Sequence, residues 1–289
     1  MNLDLIIGII QIVLIATTPL VFAGIGELVT EKSGVLNLGV EGMMLVGAVT
    51  AFVTLVITGS YILAFIISIL SGIIMSGLFA FLVLILLSNQ VATGLALTIF
   101  GLGLSSMIGK DYIGTPIDGL TPWYFVILSF LIVFVVSYFF YKTKSGLILR
   151  AVGESHTSAH ALGYSVLKIR LYAILFGGSM CALAGSYMSI CYAPMWQEGM
   201  TAGRGWIALA LVVFATWKPG RILIGAYIFG GVTILQMNLQ AFGLRLPGQF
   251  FNMAPYIATM VVLVIISSNK LRIKLSAPAS LTIPFFKGR

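Results

Sequence analysis

The sequence predicts an all-α fold, a polytopic membrane bundle of about nine (eight to ten) transmembrane helices. Of the 289 residues, 60% are hydrophobic and only 8% are charged. Because charged residues make up about a quarter of an ordinary soluble domain, the lipid bilayer must be the solvent of this chain. Apolar runs near the roughly 20 residues that cross a bilayer recur along the whole chain, separated by short polar segments.

The apolar runs predict the spans one by one. They cover residues 5–25, 35–57, 61–87, 91–109, 122–141, 171–193, 204–217, 222–240 and 251–268. The first run follows no basic residue and is longer than the apolar part of a signal peptide, so we expect a retained span. Small residues predict close helix packing in the sixth and eighth spans. These residues are Gly177, Gly178 and Gly185 in the sixth, and Gly225, Gly230 and Gly231 in the eighth.

Basic residues predict which face of the bundle is cytoplasmic. The longest polar segment, 142–170, carries five of the sixteen Lys and Arg residues, and the turn 218–221 and the tail from Lys270 are also basic. Loops 110–121, 194–203 and 241–250 carry little positive charge. Since Lys and Arg are enriched in cytoplasmic loops, we expect the three basic segments inside and the N-terminus outside. The expected domains are a transmembrane domain over 1–270 and a basic cytoplasmic tail over 271–289.

The second span contains the least expected polar residues. Asn37 and Glu41 stand four residues apart, on one helical face, among several glycines. A carboxylate near the middle of a membrane costs about 2.5 to 3.5 kcal/mol, so its side chain should face protein or water. Two interpretations stay open. Glu41 lies near the membrane surface, capping a helix or pairing with Lys32, or it is a polar lining or hinge beside a wet path. Glu27, Glu31 and Lys32 are expected to be ordinary boundary charges.

Uncharged polar residues recur at apparent membrane depth in later spans. The candidates are Thr93, Thr98, Gln236, Asn238 and Asn252. One interpretation is hydrogen bonding between helices, and the other is a path wet enough for a hydroxylated solute. No Lys or Arg stands clearly inside a predicted span, which disfavours an anionic solute. Gln197, Glu198 and Arg204 are expected on the solvated outer surface.

Catalytic residues, cofactors and metals are not expected. His156 and His160 stand four apart, but there is no HExxH pattern and no convincing third ligand. The chain has no P-loop, so a second protein must supply any energy from ATP. Cys181 and Cys191 would lie about 15 Å apart on a helix, beyond disulfide reach. The basic residues are scattered over loops as membrane topology requires, which disfavours nucleic acid as a partner.

The segment 142–170 contains a short run with helical character, residues 154–164. It is rich in small residues and has no Asp, Glu, Lys or Arg after Glu154. A weakly charged helix in the cytoplasm is poorly suited to solvent and well suited to a groove on another protein. We therefore expect this segment to be the handle by which a separate motor protein moves the membrane part.

Four blocks carry a family resemblance: residues 17–48, 150–170, 203–221 and 254–265. The first contains the run GVLNLGVEGMMLVGA. In order and spacing they resemble the permease subunits of ABC importers in the ribose and branched-chain amino acid class, most closely those for nucleosides and simple sugars. The coupling loop of that family reads Gly-Glu, Asn-Pro, two alanines and Leu-Gly. The matching residues here are Gly153, Glu154, Ala159, Leu162 and Gly163, whereas Ser155 and His156 replace Asn-Pro and Ser158 replaces the first alanine.

The resemblance implies the type II importer fold typified by vitamin B12 and ribose permeases, in a bacterial plasma (inner) membrane. It implies coupling to an ABC ATPase subunit through Gly153, Glu154, Ser158, Ala159, Leu162 and Gly163. It also implies a second, distinct permease chain that completes the translocation path, and an extracytoplasmic solute-binding protein. The path residues expected here are Asn37, Glu41, Thr93, Thr98, Gln236, Asn238 and Asn252.

Several functions remain as alternatives. A nucleoside is the favoured cargo, and ribose or another simple sugar is the second. An integral membrane enzyme would need carboxylates or histidines clustered at one depth, which the sequence does not assemble. A passive channel would need no partner ATPase, and the four blocks argue against it.

Overall fold

The computed structural model describes residues 3–241 and 277–286, together with Met253, Ile257 and Val264; the side chains of residues 3, 5, 6 and 235–241 lie outside that description. Every regular element in this part of the chain is a helix. The ten α-helices are α1 (Leu3–Lys32), α2 (Val40–Thr58), α3 (Tyr61–Ala80), α4 (Gln90–Gly109), α5 (Trp123–Lys142), α6 (Lys144–Glu154), α7 (His156–Ala161), α8 (Val166–Tyr187), α9 (Arg204–Phe214) and α10 (Pro219–Ala241). Single π-helical turns extend α3 over Phe81–Ile85 and α8 over Met188–Tyr192.

Six helices in the described part of the chain are long and apolar enough to cross a membrane: α1 to α5 and α8. The predicted span 204–217 is wrong, because α9 has only 11 residues and covers about 16 Å, roughly half of the hydrocarbon core. The predicted ninth span, 251–268, lies outside the described residues apart from three isolated positions. The sixth span begins earlier than predicted, at Val166, so Arg170 belongs to it.

Helices α2 and α8 form the centre of the bundle. Every residue of α2 from Val40 to Val49 is buried. This burial agrees with the almost wholly apolar sequence of α2, which offers no polar face to water. Helices α3, α4 and α8 pack around α2, and α1 packs against α8; buried side chains from these helices form the largest hydrophobic core. Cys181 and Cys191 are buried free thiols inside this core.

Glycines let these helices approach closely, as predicted for α8. A Cβ at Gly185 would meet the carbonyl oxygen of Met44 and lie 2.9 Å from the backbone nitrogen of Ala48. On α10 the prediction is confirmed for Gly225 and Gly230 and wrong for Gly231, which has no described atom within 4 Å of an added Cβ. Close contact therefore depends on which face of the helix a glycine occupies and not on glycine as such.

We expect Gly185→Ala to destabilise the protein, because the added methyl group collides with the α2 backbone, which cannot move without disturbing the core. The loss should be about 1 to 3 kcal/mol, the usual cost of overpacking. Cys181 and Cys191 are buried, so the temperature at which they react with a thiol-specific dye reports unfolding in detergent. The control is Gly231→Ala on α10, which should be neutral or gain up to about 1 kcal/mol from helix propensity. Equal reaction temperatures for the two variants would contradict the close α2–α8 contact.

Candidate functional site

The chain is non-helical between α1 and α2, at a depth where the backbone needs protein partners. Residues 33–39 are buried or half-buried, and Gly34 adopts a φ of 91° that favours glycine. Hydrocarbon offers no hydrogen bonds, so each exposed backbone group in such a segment costs several kcal/mol unless protein atoms satisfy it. The segment must therefore be surrounded by polar side chains.

Polar side chains supply these bonds from three directions. The backbone nitrogen of Leu36 donates to Oε1 of Gln90 at 2.9 Å, and the backbone nitrogen of Asn37 donates to Oε1 of Glu27 at 2.9 Å. Thr98 Oγ1 donates to the carbonyl oxygen of Leu38 at 2.9 Å. These hydrogen bonds give several polar residues a structural role that needs no water-filled path. Thr98 and Gln90 stabilise the backbone of the chain break.

Asn37 forms a turn immediately before α2, within the break. Its Oδ1 accepts a hydrogen bond from the backbone nitrogen of Gly39 at 2.9 Å, and its Nδ2 lies 3.6 Å from the sulfur of Met43. Asn37 is buried, so its amide contacts protein and not lipid. The break is thus held by its own side chain as well as by its neighbours.

Glu41 joins the start of α2 to the start of the half-length helix α9. Its carboxylate accepts hydrogen bonds from Thr201 Oγ1 at 2.5 Å, from the backbone nitrogen of Gly203 at 2.8 Å and from that of Gly205 at 2.6 Å. The first backbone N–H groups of a helix have no partner within the helix, and its dipole favours a negative charge there. Glu41 therefore satisfies the N-terminus of α9 with a buried carboxylate.

The depth of Glu41 decides between the two interpretations of this residue. The neighbouring Gly42 lies against Leu97 and Thr98, in the middle of α4. Glu41 thus caps a helix, as one interpretation held, at the level of the middle of α4, and its partners are in α9 and the loop before it rather than Lys32. Asn37, Glu41 and Thr98 come together around one break, whereas Thr93 pairs with Ser88 at 2.8 Å near the start of α4.

Three predicted path residues cannot be placed. Gln236 and Asn238 have their backbones in α10, and their side chains lie outside the described part, as does the whole of Asn252.

The acidic residues near the end of α1 are not boundary charges, which corrects the sequence expectation. Glu27 and Glu31 are fully buried. Glu27 accepts a hydrogen bond from the backbone nitrogen of Asn37 in the chain break. Glu31 Oε2 accepts a hydrogen bond from Nε1 of Trp217 at 2.6 Å. Glu31 thereby fastens the end of α1 to the turn between α9 and α10. The signal missed in the sequence is that α1 continues helically to Lys32, which places both carboxylates inside the bundle.

Arg170 is a buried cation inside a span, which also corrects the sequence expectation. Its Nε donates to the carbonyl oxygen of Ser33 at 3.2 Å, and Nη1 donates to that of Ile283 at 3.1 Å. It lies in the first turns of α8 and joins the chain break to the tail segment 277–286. Its partners are protein carbonyls, so its presence does not indicate an anionic solute.

The helical run predicted over 154–164 contains the last residue of α6 and the whole of α7, with a break at Ser155. Ser155 is extended, with φ −150° and ψ 96°, and its hydroxyl accepts a hydrogen bond from the backbone nitrogen of Ser158 at 3.2 Å. This N-cap bond starts α7 anew after α6 has ended at Glu154. Gly163, at φ 88°, ends α7 in the left-handed conformation typical of a helix C-terminus.

The six predicted coupling residues divide into anchors and exposed positions. Gly153 and Ala159 are buried, and a Cβ at Gly153 would meet the carbonyl oxygen of Lys32. Ala159 packs with Val152, Val166 and Phe285 in a small core. The exposed positions are Glu154, Ser158, Leu162 and Gly163. Leu162 at the tip is 77% exposed.

The tail segment 277–286 packs on α7. The backbone nitrogen of Ser280 donates to the carbonyl oxygen of Gly153 at 2.8 Å, and the Phe285 ring contacts His156 and His160 edge-on at centroid distances of 5.6 and 5.2 Å. Burial lowers the pKa of His156, and the positive charge of Arg170 lowers it further. In the part of the chain that is described, no three His, Cys, Asp or Glu residues cluster to hold a metal ion.

The basic segments meet at one end of the bundle. Gly153 lies against Lys32, Trp217 is bonded to Glu31, and Ser280 is bonded to Gly153. At the opposite end, loop 110–121 is bonded to Tyr61 and to the carbonyl of Ile190. This arrangement agrees with the predicted grouping of segment 142–170, turn 218–221 and the tail on one side. The charged tail residues Lys270, Arg272 and Lys274 lie outside the described residues.

Comparison with known proteins identifies the class of transporter. The family described as branched-chain amino acid transport system, permease component, matches residues 9–267. A putative glucose ABC transporter permease protein of Haloferax volcanii is 37% identical over 95% of this chain and 96% of its own. A guanosine ABC transporter permease protein of Bacillus subtilis is 27% identical over 97% of both chains. A nucleoside ABC transporter permease protein of Lactococcus lactis is 27% identical over 88% of this chain and 90% of its own.

No solved structure matches the chain significantly. The family match covers the broken second span, the coupling segment, the α9 junction and α10 together, and the described helices are those of a multi-pass membrane protein. The chain therefore belongs to the family of permease components of branched-chain amino acid transport systems, which are multi-pass proteins of the plasma membrane.

Proposed function

We propose that this permease subunit is moved by a separate ABC ATPase that grips α7. The observation that carries the proposal is Leu162, a large apolar side chain 77% exposed at the tip of a loop on the basic end. Positive charge assigns this end to the cytoplasm, where no acyl chains would cover Leu162. Glu154, Ser158 and Gly163 are exposed around it, and Gly153 and Ala159 anchor the helix beneath it.

The anchors give ATPase motion a continuous route into the membrane. Movement of α7 would reach the end of α1 through Gly153, and the chain break through Arg170, which binds Ser33. The break leads directly to Glu41 and the first turn of α9. Tightly packed networks of this kind transmit displacement between discrete arrangements. We infer that the α2–α9 junction is the hinge of the translocation cycle.

The remaining architecture of the transporter is proposed from the family. The chain would have about nine helices in the membrane, with α9 crossing only part of it, in a type II importer fold, with a membrane domain over 1–270 and a cytoplasmic tail over 271–289. A second, distinct permease chain would complete the translocation path, and an extracytoplasmic binding protein would deliver the solute. Asn37, Glu41, Thr93, Thr98, Gln236, Asn238 and Asn252 are proposed to border that path. The chain itself is proposed to have no catalytic activity.

The proposed cargo is a neutral, hydroxylated ring compound, either a nucleoside or a simple sugar. The relatives support both: one is named for glucose, and two are named for guanosine or nucleosides. Both solutes have several hydroxyl groups and no charge. Uptake of labelled guanosine and glucose by cells expressing the complete transporter tests the cargo, and uptake that survives inactivation of the ATPase subunit would contradict an ATP-driven importer.

We expect Leu162→Glu to abolish capture of the ATPase without unfolding the permease. A charge at the centre of an apolar contact commonly costs 2 kcal/mol or more, so binding should weaken by about thirtyfold. Binding is measured by co-purification and by titration of the ATPase against detergent-solubilised permease. The dye-reaction temperature of the thiols should stay unchanged, because the Leu162 side chain is 77% exposed.

Lys168→Glu is the matched control. It introduces the same side chain at an exposed position on the first turn of α8, away from the tip of α7. Binding that is weakened equally by both variants would indicate a general charge effect. Unchanged binding of Leu162→Glu would contradict the coupling role of α7.

We expect Glu41→Gln to lower both the stability and the transport rate. The amide can accept at only one of its two terminal atoms, so at least one N–H group of the α9 N-terminus loses its partner. Hydrogen bonds to a charged group contribute about 1.5 to 3 kcal/mol, which should appear as a lower dye-reaction temperature. Solute uptake should fall while ATPase capture persists, since α7 is unaffected.

Glu198→Gln is the control for this change. Glu198 is an exposed acid in the same loop that leads to α9, and its substitution should alter neither stability nor uptake. If Glu41→Gln behaved like Glu198→Gln in both measurements, the hinge assignment would be wrong.

A further inference from the structure

A small basic pocket opens at the cytoplasmic end of the bundle. It has a volume of about 180 Å³ and lies between the ends of α1 and α5, helix α6 and the turn between α9 and α10. Its lining residues are Lys32, Phe140, Tyr141, Arg150, Thr216, Trp217 and Lys218. Three of them are cations, and none of the described lining residues is acidic. The pocket therefore has the charge of an anion site.

The guanidinium group of Arg150 has the orientation and the free donor expected of a group that binds an oxygen ligand. Its guanidinium carbon lies 5.5 Å from the centroid of the Tyr141 ring, in a cation–π contact that orients the group. Its Nε is buried and has no hydrogen-bond partner among the described residues. A buried donor without an acceptor costs roughly 1 to 3 kcal/mol. A bound anion would remove this cost, and the planar guanidinium suits the oxygens of a phosphate.

The other two cations and the acids near them fit the same interpretation. Arg150 and Lys218 both lie close enough to Lys32 to repel its charge, and Glu154 and Glu31 lie close enough to attract it. Glu31 is also engaged by Trp217, and Glu154 is exposed on α6. Acidic residues therefore offset the charge of Lys32, whereas Arg150 and Lys218 supply the positive charge that an anion in the pocket would meet.

The wall opposite Arg150 is held in a strained backbone conformation. Thr216 and Trp217 have φ values of 49° and 52°, which non-glycine residues, and β-branched threonine above all, rarely adopt. Trp217 is fixed by Glu31, and Thr216 Oγ1 accepts a hydrogen bond from Nη1 of Arg221. Strain of this kind concentrates at ligand-binding and functional sites.

The position of the pocket indicates where the anion comes from. Phe140, Tyr141 and Trp217 line it at the end of the membrane-crossing helix α5, and aromatic residues mark the membrane–water interface. Basic pockets between helices on the cytoplasmic side bind the headgroups of anionic lipids. We propose that this pocket binds the phosphate of an anionic membrane lipid, with Arg150, Lys218 and Lys32 as its ligands.

A lipid held here would join elements that the ATPase is proposed to move. Arg150 belongs to α6, next to the coupling helix, and Lys218 belongs to the turn that follows α9. The bound phosphate would connect the coupling segment to the α9–α10 turn. Anionic lipid would thus favour the arrangement seen here.

The test is native mass spectrometry of the transporter in nanodiscs, with and without its ATPase subunit, which reports the lipid retained on the permease subunit. Discs of phosphatidylcholine alone are compared with discs that also contain phosphatidylglycerol. The wild-type subunit should retain phosphatidylglycerol selectively. The double variant Arg150→Gln/Lys218→Gln should bind it about thirtyfold more weakly, the product of roughly fivefold for each cation near an anionic surface.

Three control variants separate charge from folding. Arg150→Lys and Lys218→Arg keep the charge and should retain the lipid, and Lys168→Gln removes an exposed cation from the same end outside the pocket and should leave retention unchanged. The thiol reaction temperature in phosphatidylcholine confirms that each variant is folded. Undiminished retention in the folded double variant would overturn the proposal.

Two further measurements distinguish the lipid from other anions. Inorganic phosphate added to phosphatidylcholine discs should not raise the thiol reaction temperature, whereas phosphatidylglycerol should. Equal stabilisation by free phosphate would overturn the lipid assignment in favour of a soluble anion. Loss of lipid retention once the ATPase subunit is bound would also overturn it and assign the pocket to an acidic surface of that subunit.

Discussion

The contact between Glu41 and the first turn of α9 is the interaction on which the rest of the structure depends. An ionised side chain and a helix N-terminus are each costly inside a membrane, because lipid satisfies neither. Here each satisfies the other, through Thr201, Gly203 and Gly205. The pairing allows the short helix α9 to begin beside the first turn of α2, inside the bundle. A membrane bundle thereby contains two interrupted helices without unsatisfied charge at their junction.

The interruption before α2 explains the other buried polar residues. Gln90, Glu27 and Thr98 bond backbone atoms of residues 36–38, and Arg170 bonds the carbonyl of Ser33. Irregular backbone at membrane depth is tolerated where protein surrounds it, and interrupted helices are where membrane transporters commonly form their sites. The buried charged residues Glu27, Glu31, Glu41 and Arg170 thus form hydrogen bonds to places where helices begin, end or are interrupted.

The cytoplasmic end combines rigid attachment with an exposed tip. Gly153 holds α6 against the end of α1, Ala159 and the tail hold α7 against α8, and Leu162 is exposed at the tip. A helix of six residues has little stability of its own, so its position is set by these attachments. That is suitable for a segment that must transmit force in both directions. The neighbouring basic pocket offers a second point at which the membrane itself could influence the same elements.

Much of this protein followed from the sequence alone. Hydropathy determined the membrane bundle, since spans of about 20 apolar residues have few alternatives, and the distribution of Lys and Arg determined which segments share an end. The segment around Gly153 and Leu162 was recognisable because its composition is unusual for its surroundings. The short length of α9, the restart of α7 at Ser155 and the burial of Glu27, Glu31 and Arg170 were not. Apolar composition does not reveal where a helix is interrupted. A charged residue near the end of a span is predicted to lie at the membrane surface until its partner is known. Those partners lie far away in the sequence, as Gly205 does from Glu41 and Trp217 from Glu31. A charge can be buried only where other helices bring hydrogen-bond donors to it. Only the tertiary structure could therefore decide that these charges are buried.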